Sequence, residues 1–160
     1  MPARYRRSYG TYRSTPRRRT EWVELSHQDA IGAGTAVNYD LCAASPDDVF
    51  TVMRTILRIT VQNWAAVADI LTFGTMVGRA SDIGTTPNLA SDPGLDWSWK
   101  GALTPESTGA AVDVIQHYDI DIKSKRKVTD SSLRYLLCWT NGSAASKTVQ
   151  VFSRTLIAPV

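Results

Sequence analysis

The chain has few of the residues on which most enzymes and secreted proteins depend. Its 160 residues include two cysteines and two histidines. Cys42 and Cys138 lie far apart in apolar segments, so we expect neither a disulfide framework nor a zinc site but two buried thiols in a reducing compartment. No nucleophile elbow, phosphate-cradling glycine loop or metal-binding motif occurs. The sequence therefore predicts no enzyme, no cofactor and no metal.

Long apolar segments are missing as well. No apolar run approaches the roughly 18 residues that cross a bilayer, and the first residues lack the apolar core of a secretion signal. We therefore expect a protein that is made and used inside a cell and has no membrane partner.

Residues 1–20 contain no acidic residue and no aliphatic residue beyond Ala3. This segment holds seven of the 18 basic residues, which leaves 11 basic and 15 acidic residues in 21–160. Such a segment buries too little surface to fold alone, so we expect a disordered arm. Its arginines offer forks to phosphate, and the three tyrosines between them offer rings to bases. The predicted nucleic-acid-binding residues are Arg4, Arg6, Arg7, Arg13, Arg17, Arg18 and Arg19.

From Glu21 onward the dominant hydrophobic period is two, which is typical of half-buried strands. In the clearest case Tyr118, Ile120 and Ile122 alternate with polar residues. Segments 133–139 and 148–157 are apolar on both faces and are predicted to be central strands. Asn141-Gly142 between them predicts a hairpin turn. About eight strands are predicted, at 21–26, 35–42, 54–62, 67–78, 96–100, 112–124, 132–140 and 147–157.

One short helix is also predicted. Ser45-Pro46-Asp47-Asp48 combines an N-cap residue, a first-turn proline and two acids at the positive end of the helix dipole. Val49 and Met53 continue its apolar face, and the β-branched run after Arg54 ends it. The segment 79–96 is rich in Gly, Pro, Asp and Ser, which predicts an exposed loop with a role in contacts.

Two further groups of residues are candidate sites. Trp97 and Trp99 are two residues apart, so we expect both rings on one strand face, one buried and the other at a subunit interface. The run Lys123, Lys125, Arg126 and Lys127 is a nuclear-import signal, a second nucleic-acid contact or a solvated strand end.

One predicted strand carries residues of the types that bind metal ions. His117, Asp119 and Asp121 share a face and present cation ligands, but a solvated face is the commoner outcome.

An arginine-rich arm of about 20 residues followed by about eight strands resembles the single jelly-roll coat (capsid) proteins of small icosahedral viruses. The resemblance is to the circular single-stranded DNA virus or satellite-virus type. Two local stretches, 54–61 and 118–127, look like an early and a late strand of these proteins. The resemblance implies an all-β sandwich of two four-stranded sheets in 21–160, with 1–20 as the arm.

The resemblance also implies a function. The chain would self-assemble into an icosahedral shell, 60 copies being favoured, and would package viral single-stranded nucleic acid, DNA being favoured over RNA. It would be found in the virion, and in the host nucleus or cytoplasm during assembly. Two alternatives stay open: a cellular nucleic-acid-binding β-barrel with a basic tail, and a phage structural protein with no nucleic-acid role.

Overall fold

The fold is an all-β sandwich, seen in a computed structural model that describes residues 19–42, 49–79, 97–108, 111–112 and 114–160. Within these ranges there are ten strands and no helix. The strands are β1 Glu21–Ile31, β2 Ala36–Asp40, β3 Phe50–Gln62, β4 Leu71–Arg79, β5 Trp97–Leu103, β6 Ser107–Thr108, β7 Ala111–Val112, β8 Ile115–Val128, β9 Leu133–Asn141 and β10 Lys147–Pro159.

Eight of the strands form two four-stranded antiparallel sheets. One has the order β1-β10-β3-β8 and the other the order β2-β9-β4-β5, while β6 and β7 form a separate two-stranded ribbon. The first strand of the chain therefore pairs with the last, and most successive strands cross from one sheet to the other. This topology is the jelly roll, so the fold predicted from the sequence is confirmed.

Alternation along the strands fills the space between the sheets. In the first sheet Val23, Leu57 and Ile122 point inward, while their chain neighbours point outward. In the second sheet Trp139 stacks on Phe73, with ring centroids 4.6 Å apart, and its indole N–H donates to the Tyr39 hydroxyl at 3.0 Å. A large apolar side chain in such a core stabilises the fold by about 3 kcal/mol relative to alanine. Cys42 and Cys138 are both free and buried, as expected.

An ion pair is buried at one end of the sandwich. The ammonium of Lys147 is fully buried, 3.0 Å from the carboxylate of Asp69 and 5.6 Å from the ring centre of Trp64. Asp69 also accepts hydrogen bonds from the backbone N–H groups of Ala65 and Ala66. Burial opposes ionisation of Asp69, but these donors and Lys147 hold its pKa below the ordinary value. The pair ties the β3–β4 connection to the start of β10.

The predicted hairpin at Asn141-Gly142 is wrong, because β9 and β10 belong to different sheets. Asn141 is fully buried, and its amide donates to the carbonyl oxygens of Ile31 and Ala145 while its oxygen accepts from Ser143 N–H. Asparagine here organises a crossing between sheets instead of a tight turn within one.

The predicted helix is corrected in its second half. Its start at 45–48 lies outside the described residues, and so does most of the predicted loop at 79–96. Phe50–Met53, which was expected to continue the helix, forms the first four residues of β3. Phe50 and Val52 are buried there, so two-residue alternation extends further toward the N-terminus than the sequence suggested.

Candidate nucleic-acid interface

The outer surface of the β1-β10-β3-β8 sheet, which we term the charged face, gathers most of the charged side chains on the strands of this sheet. Alternation turns every second residue of these strands away from the core, and those of β8 are exposed without interruption from Ile115 to Lys127. Six of the outward side chains are basic and three are acidic. They are Arg54, Arg58, Lys123, Lys125, Lys127 and Arg154, and Glu24, Asp119 and Asp121.

The three acids each pair with an arginine on a neighbouring strand. The N–H groups of Arg54 donate to both oxygens of Asp121, and these bonds hold the pKa of that carboxyl below its ordinary value. Asp121 therefore stays ionised at neutral pH. Six basic and three acidic side chains leave an excess of three positive charges on this face, which equals the number of lysines on β8. The pairs, with their N–O distances, are Arg54–Asp121 at 2.7 Å, Arg58–Asp119 at 3.7 Å and Arg154–Glu24 at 2.7 Å.

The arm joins the same sheet at its basic end. Arg19 and Thr20 are exposed and lead directly into β1, while the other six arginines of the arm lie outside the described residues. Trp22 is the second residue of β1. Across the sheet it lies in register with Leu156 of β10, then Arg54 of β3 and then Lys123 of β8. Three strand spacings separate Trp22 from Lys123, which is about 14 Å. Arg19 and Thr20 therefore lie at the same end of the sheet as the lysines of β8, but at its opposite edge.

The predicted basic run of β8 is divided between two faces. Lys123, Lys125 and Lys127 are exposed on the charged face, which agrees with a solvated face and leaves a nucleic-acid contact open. Arg126 points the other way, and its guanidinium donates to the carbonyl oxygen of Trp97 at 3.4 Å. Strand alternation thus removes Arg126 from the group, and only the three lysines remain candidates on this face.

Trp97 and Trp99 lie on opposite faces of their sheet, so the expectation of a shared face is wrong. A β-bulge places Trp97 opposite Met76 and both Ser98 and Trp99 against Thr75, and it reverses the alternation between the two rings. Trp97 packs outside the sheet, where a side chain at Gly74 would come within 2.9 Å of its ring.

Trp99 packs inside, 4.8 Å from the ring of Phe73, and covers Gly101. The two strand glycines are the sequence signal for these close approaches, because glycine inside a strand marks a position where another group comes near the backbone. A subunit contact for either ring stays a prediction.

Each of the three candidate metal ligands contacts a side chain of β3. Asp119 and Asp121 pair with arginines, and His117 Nδ1 lies 2.8 Å from the hydroxyl oxygen of Thr60. In the part of the chain that the structure describes, no three potential metal ligands converge. Among the same residues, no helix is long and apolar enough to cross a membrane.

Two exposed aromatic side chains on the charged face were not predicted from the sequence. Trp22 is 38% exposed, with the Arg154 guanidinium 5.0 Å from its ring centre, and Phe152 is 37% exposed. Phe152 lines two depressions on this face, and Lys123 and Lys125 line another. The available sequence signal was an aromatic residue at an outward position of a predicted strand, where polar residues are expected. The two aromatic side chains add stacking surfaces to a face that already carries positive charge.

Comparison with known proteins yields likenesses among solved structures. No protein-family model and no curated protein matches the chain. The coat protein of Tobacco streak virus is 12% identical over 88% of each chain, with a TM-score of 0.45. Turnip yellow mosaic virus is 12% identical over 98% of this chain and 90% of that one, with a TM-score of 0.40. The BFDV capsid protein, solved as a 60-mer, is 13% identical over 91% of this chain and 96% of that one, with a TM-score of 0.32.

Proposed function

We propose that this chain is a viral coat protein that self-assembles into an icosahedral shell and packages the genome through its basic arm. The observation that carries the proposal is that two basic features lie at the same end of one sheet. A complete jelly roll has one outer face with excess positive charge, and an arm with seven arginines enters at the basic end of that face. Both features direct a polyanion to the same side of the folded domain.

Self-assembly is supported by apolar side chains left exposed at one end of the sandwich. Val67 lies in the β3–β4 connection, and Val114 and Ile115 lie at the start of β8; each is more than half exposed. The two segments are adjacent, because Trp64 N–H donates to the Val114 carbonyl oxygen at 3.3 Å. Such a patch fits a contact with another subunit, and closed symmetry then converts one small chain into a container.

The partner follows from the chemistry of the arm. Arginine and tyrosine bind phosphate and bases without reading sequence, which suits a single strand of any composition. We favour DNA over RNA and 60 copies per shell. The arms would then bring about 420 positive charges into the interior, enough for a strand on the order of 0.5 kilobase. The chain would reside in the virion, and in the host nucleus or cytoplasm before assembly.

A second candidate is a cellular nucleic-acid-binding protein with a basic tail. One observation favours it: the folded domain itself presents Trp22, Phe152 and three lysines on one face, as single-strand-binding proteins do. Particle size separates the two functions. A coat protein forms spherical particles in the megadalton range after nuclease treatment, seen by electron microscopy and light scattering. A stable species below about 100 kDa across a range of salt concentrations contradicts the coat-protein function.

Removal of residues 1–20 tests the packaging role. The truncated chain should unfold at nearly the same temperature, because the arm holds almost no aliphatic side chain. Its binding to a single-stranded oligonucleotide should lose most of its salt dependence. Seven phosphate contacts account for a slope of about 5 in a plot of log affinity against log salt.

The matched control replaces all seven arginines with lysine, which keeps the charge and should keep most of that slope. Shells of the truncated chain should be empty or irregular. If they package nucleic acid as well as shells of the full chain do, the arm is not the packaging element, and Lys123–Lys127 becomes the next candidate.

A further inference from the structure

One of the depressions lined by Phe152 lies in the middle of the charged face and has a volume of about 730 Å³. All four strands of the sheet contribute to it. A volume of this size is in the range of pockets that hold a nucleotide-sized ligand. Its floor consists of two neighbouring rows of outward side chains, Gln28–Gln150–Thr60–His117 and Ser26–Phe152–Arg58–Asp119.

The first row carries hydrogen-bonding groups of both kinds. The amide N–H of Gln150 donates to the Gln28 oxygen at 3.2 Å, and Thr60 and His117 form a second pair at 2.8 Å. Each amide has two N–H donors and an oxygen with two lone pairs, so one mutual hydrogen bond leaves capacity for a ligand. Glutamine side chains match the donor and acceptor edges of nucleobases.

The second row supplies a ring and a cation about 7 Å from the amides, which is the spacing of alternate residues on a strand. Phe152 is 37% exposed, and Arg58 lies beside it on the adjacent strand. The side chain of Arg58 is three-quarters exposed, and its Nε atom lies 3.7 Å from a carboxylate oxygen of Asp119, its exposed partner. Exposed pairs of this kind are weak, so a phosphate can take Arg58 from Asp119.

We propose that this depression binds one nucleotide of the packaged single strand, with the base against Phe152, its edge hydrogen-bonded to Gln28 and Gln150, and the phosphate at Arg58. The proposal rests on the nucleic-acid-binding function proposed above. It adds a built contact on the folded domain to the charge-based contact of the arm. Trp22 lies about 14 Å from Phe152 on the same face, where it can stack on another base of the same single-stranded nucleic acid.

Cross-linking of the full-length chain locates the contact directly. A single-stranded DNA substituted with 5-iodouracil should cross-link to Phe152 on irradiation, with Trp22 as a second site, as read by mass spectrometry of digested complexes. The binding assay uses the same DNA at high salt, where the ionic contribution of the arm is weakest. There Phe152→Leu should lower affinity about fivefold or more, the low end for loss of one stacked base.

Matched controls separate this contact from general changes of the surface. Gln150→Ala should lower affinity, whereas Gln62→Ala, an amide on the same face outside the depression, should leave it unchanged. If Phe152→Leu fails to fold, the cross-links of the unaltered chain still decide the question.

The outcomes distinguish this proposal from the proposed function. Loss of binding on removal of residues 1–20, with cross-links only outside the depression and unchanged affinity for Phe152→Leu, overturns the nucleotide site and leaves packaging by the arm intact. If the full-length chain binds no single strand at all, both proposals are wrong.

Discussion

The outer surfaces of the two sheets differ in charge and in exposure, although side chains alternate between two faces in both sheets. The charged face carries six basic and three acidic side chains. The outer surface of the β2-β9-β4-β5 sheet instead holds an apolar group, Met76, Trp97, Leu136 and Cys138, which is buried within the chain. Even a carboxylate on that side, Asp40, is buried against Cys42 N–H and Arg134, and burial raises its pKa.

This difference makes the two sides of the domain chemically distinct. One side presents exposed cations, rings and amides, and the other a covered apolar layer. Arg19 and Thr20 lead into the sheet that carries the charged face, so under the proposed function the folded domain and the arm would act on the same partner. The contrast predicts that identical substitutions have different effects on the two sheets.

The largest expected effect comes from removing one partner of a buried ion pair, compared with removing one partner of an exposed pair. Asp69→Asn should destabilise the fold by about 3–5 kcal/mol, because it leaves the Lys147 ammonium buried without its counter-charge. Asp121→Asn removes a carboxylate from an exposed pair on the charged face and should have a far smaller effect. Urea unfolding measures both. The double variant Asp69→Asn/Lys147→Met should recover much of the loss; if it does not, charge burial is not the cause.

The same pair predicts a pH dependence. The pKa of Asp69 is lowered in the folded state, so its contribution to stability is complete above the ordinary value of 3.8 and is lost as the pH falls through the folded-state pKa. The unfolding free energy of the unaltered chain should therefore fall more steeply below about pH 4 than that of Asp69→Asn. Parallel curves for the two proteins would exclude ionised Asp69 as the stabilising partner.

The next effect compares leucines on the two outer surfaces. Leu136 is fully buried on the second sheet, and Leu156 is half-buried on the charged face. Leu136→Ala should cost about 2–5 kcal/mol in unfolding free energy, and Leu156→Ala about 1 kcal/mol or less, because only the first leaves a closed cavity. Equal costs would mean that the two outer surfaces are equally covered and would break the comparison.

The smallest effect tests the lysines of β8. Lys125→Ala should lower the slope of log affinity against log salt by about 0.7 if Lys125 contacts one phosphate of a single strand. Lys100→Ala is the matched control, because Lys100 is exposed on the outer surface of the other sheet. Unfolding temperatures should hardly change in either variant. A larger change of slope for Lys100→Ala would move the nucleic-acid contact to the second sheet.

Much of the fold followed from hydrophobic alternation. The eight main strands lie close to their predicted positions, and the outward row His117, Asp119 and Asp121 is exposed as its period indicated. The structure extends β1 to Ile31, beyond the predicted end at residue 26, and His27 occupies one of its inward positions, where its ring stacks on Tyr39. A polar residue on the inner face interrupts the apolar alternation that identifies a strand, so the predicted strand ended too early.

The candidate site was only partly predictable. The lysines of β8 were identified from the sequence, but Arg126, two glutamines and Phe152 were assigned to their faces by the structure. Gln28 and Gln150 are 122 residues apart and meet because β1 pairs with β10. A row that crosses four strands depends on register, and register is set by contacts across the whole chain.

The sequence by itself determined the charge asymmetry, the two-residue period and the arginine-rich arm, since these depend on composition and on neighbours along the chain. Tertiary structure alone decided which strands share a sheet. It also placed Asn141 at a crossing between sheets instead of in a hairpin, and a bulge placed Trp97 and Trp99 on opposite faces. These outcomes arise from hydrogen bonds and packing between residues far apart in the chain, and one extra residue in a strand reverses every side chain beyond it.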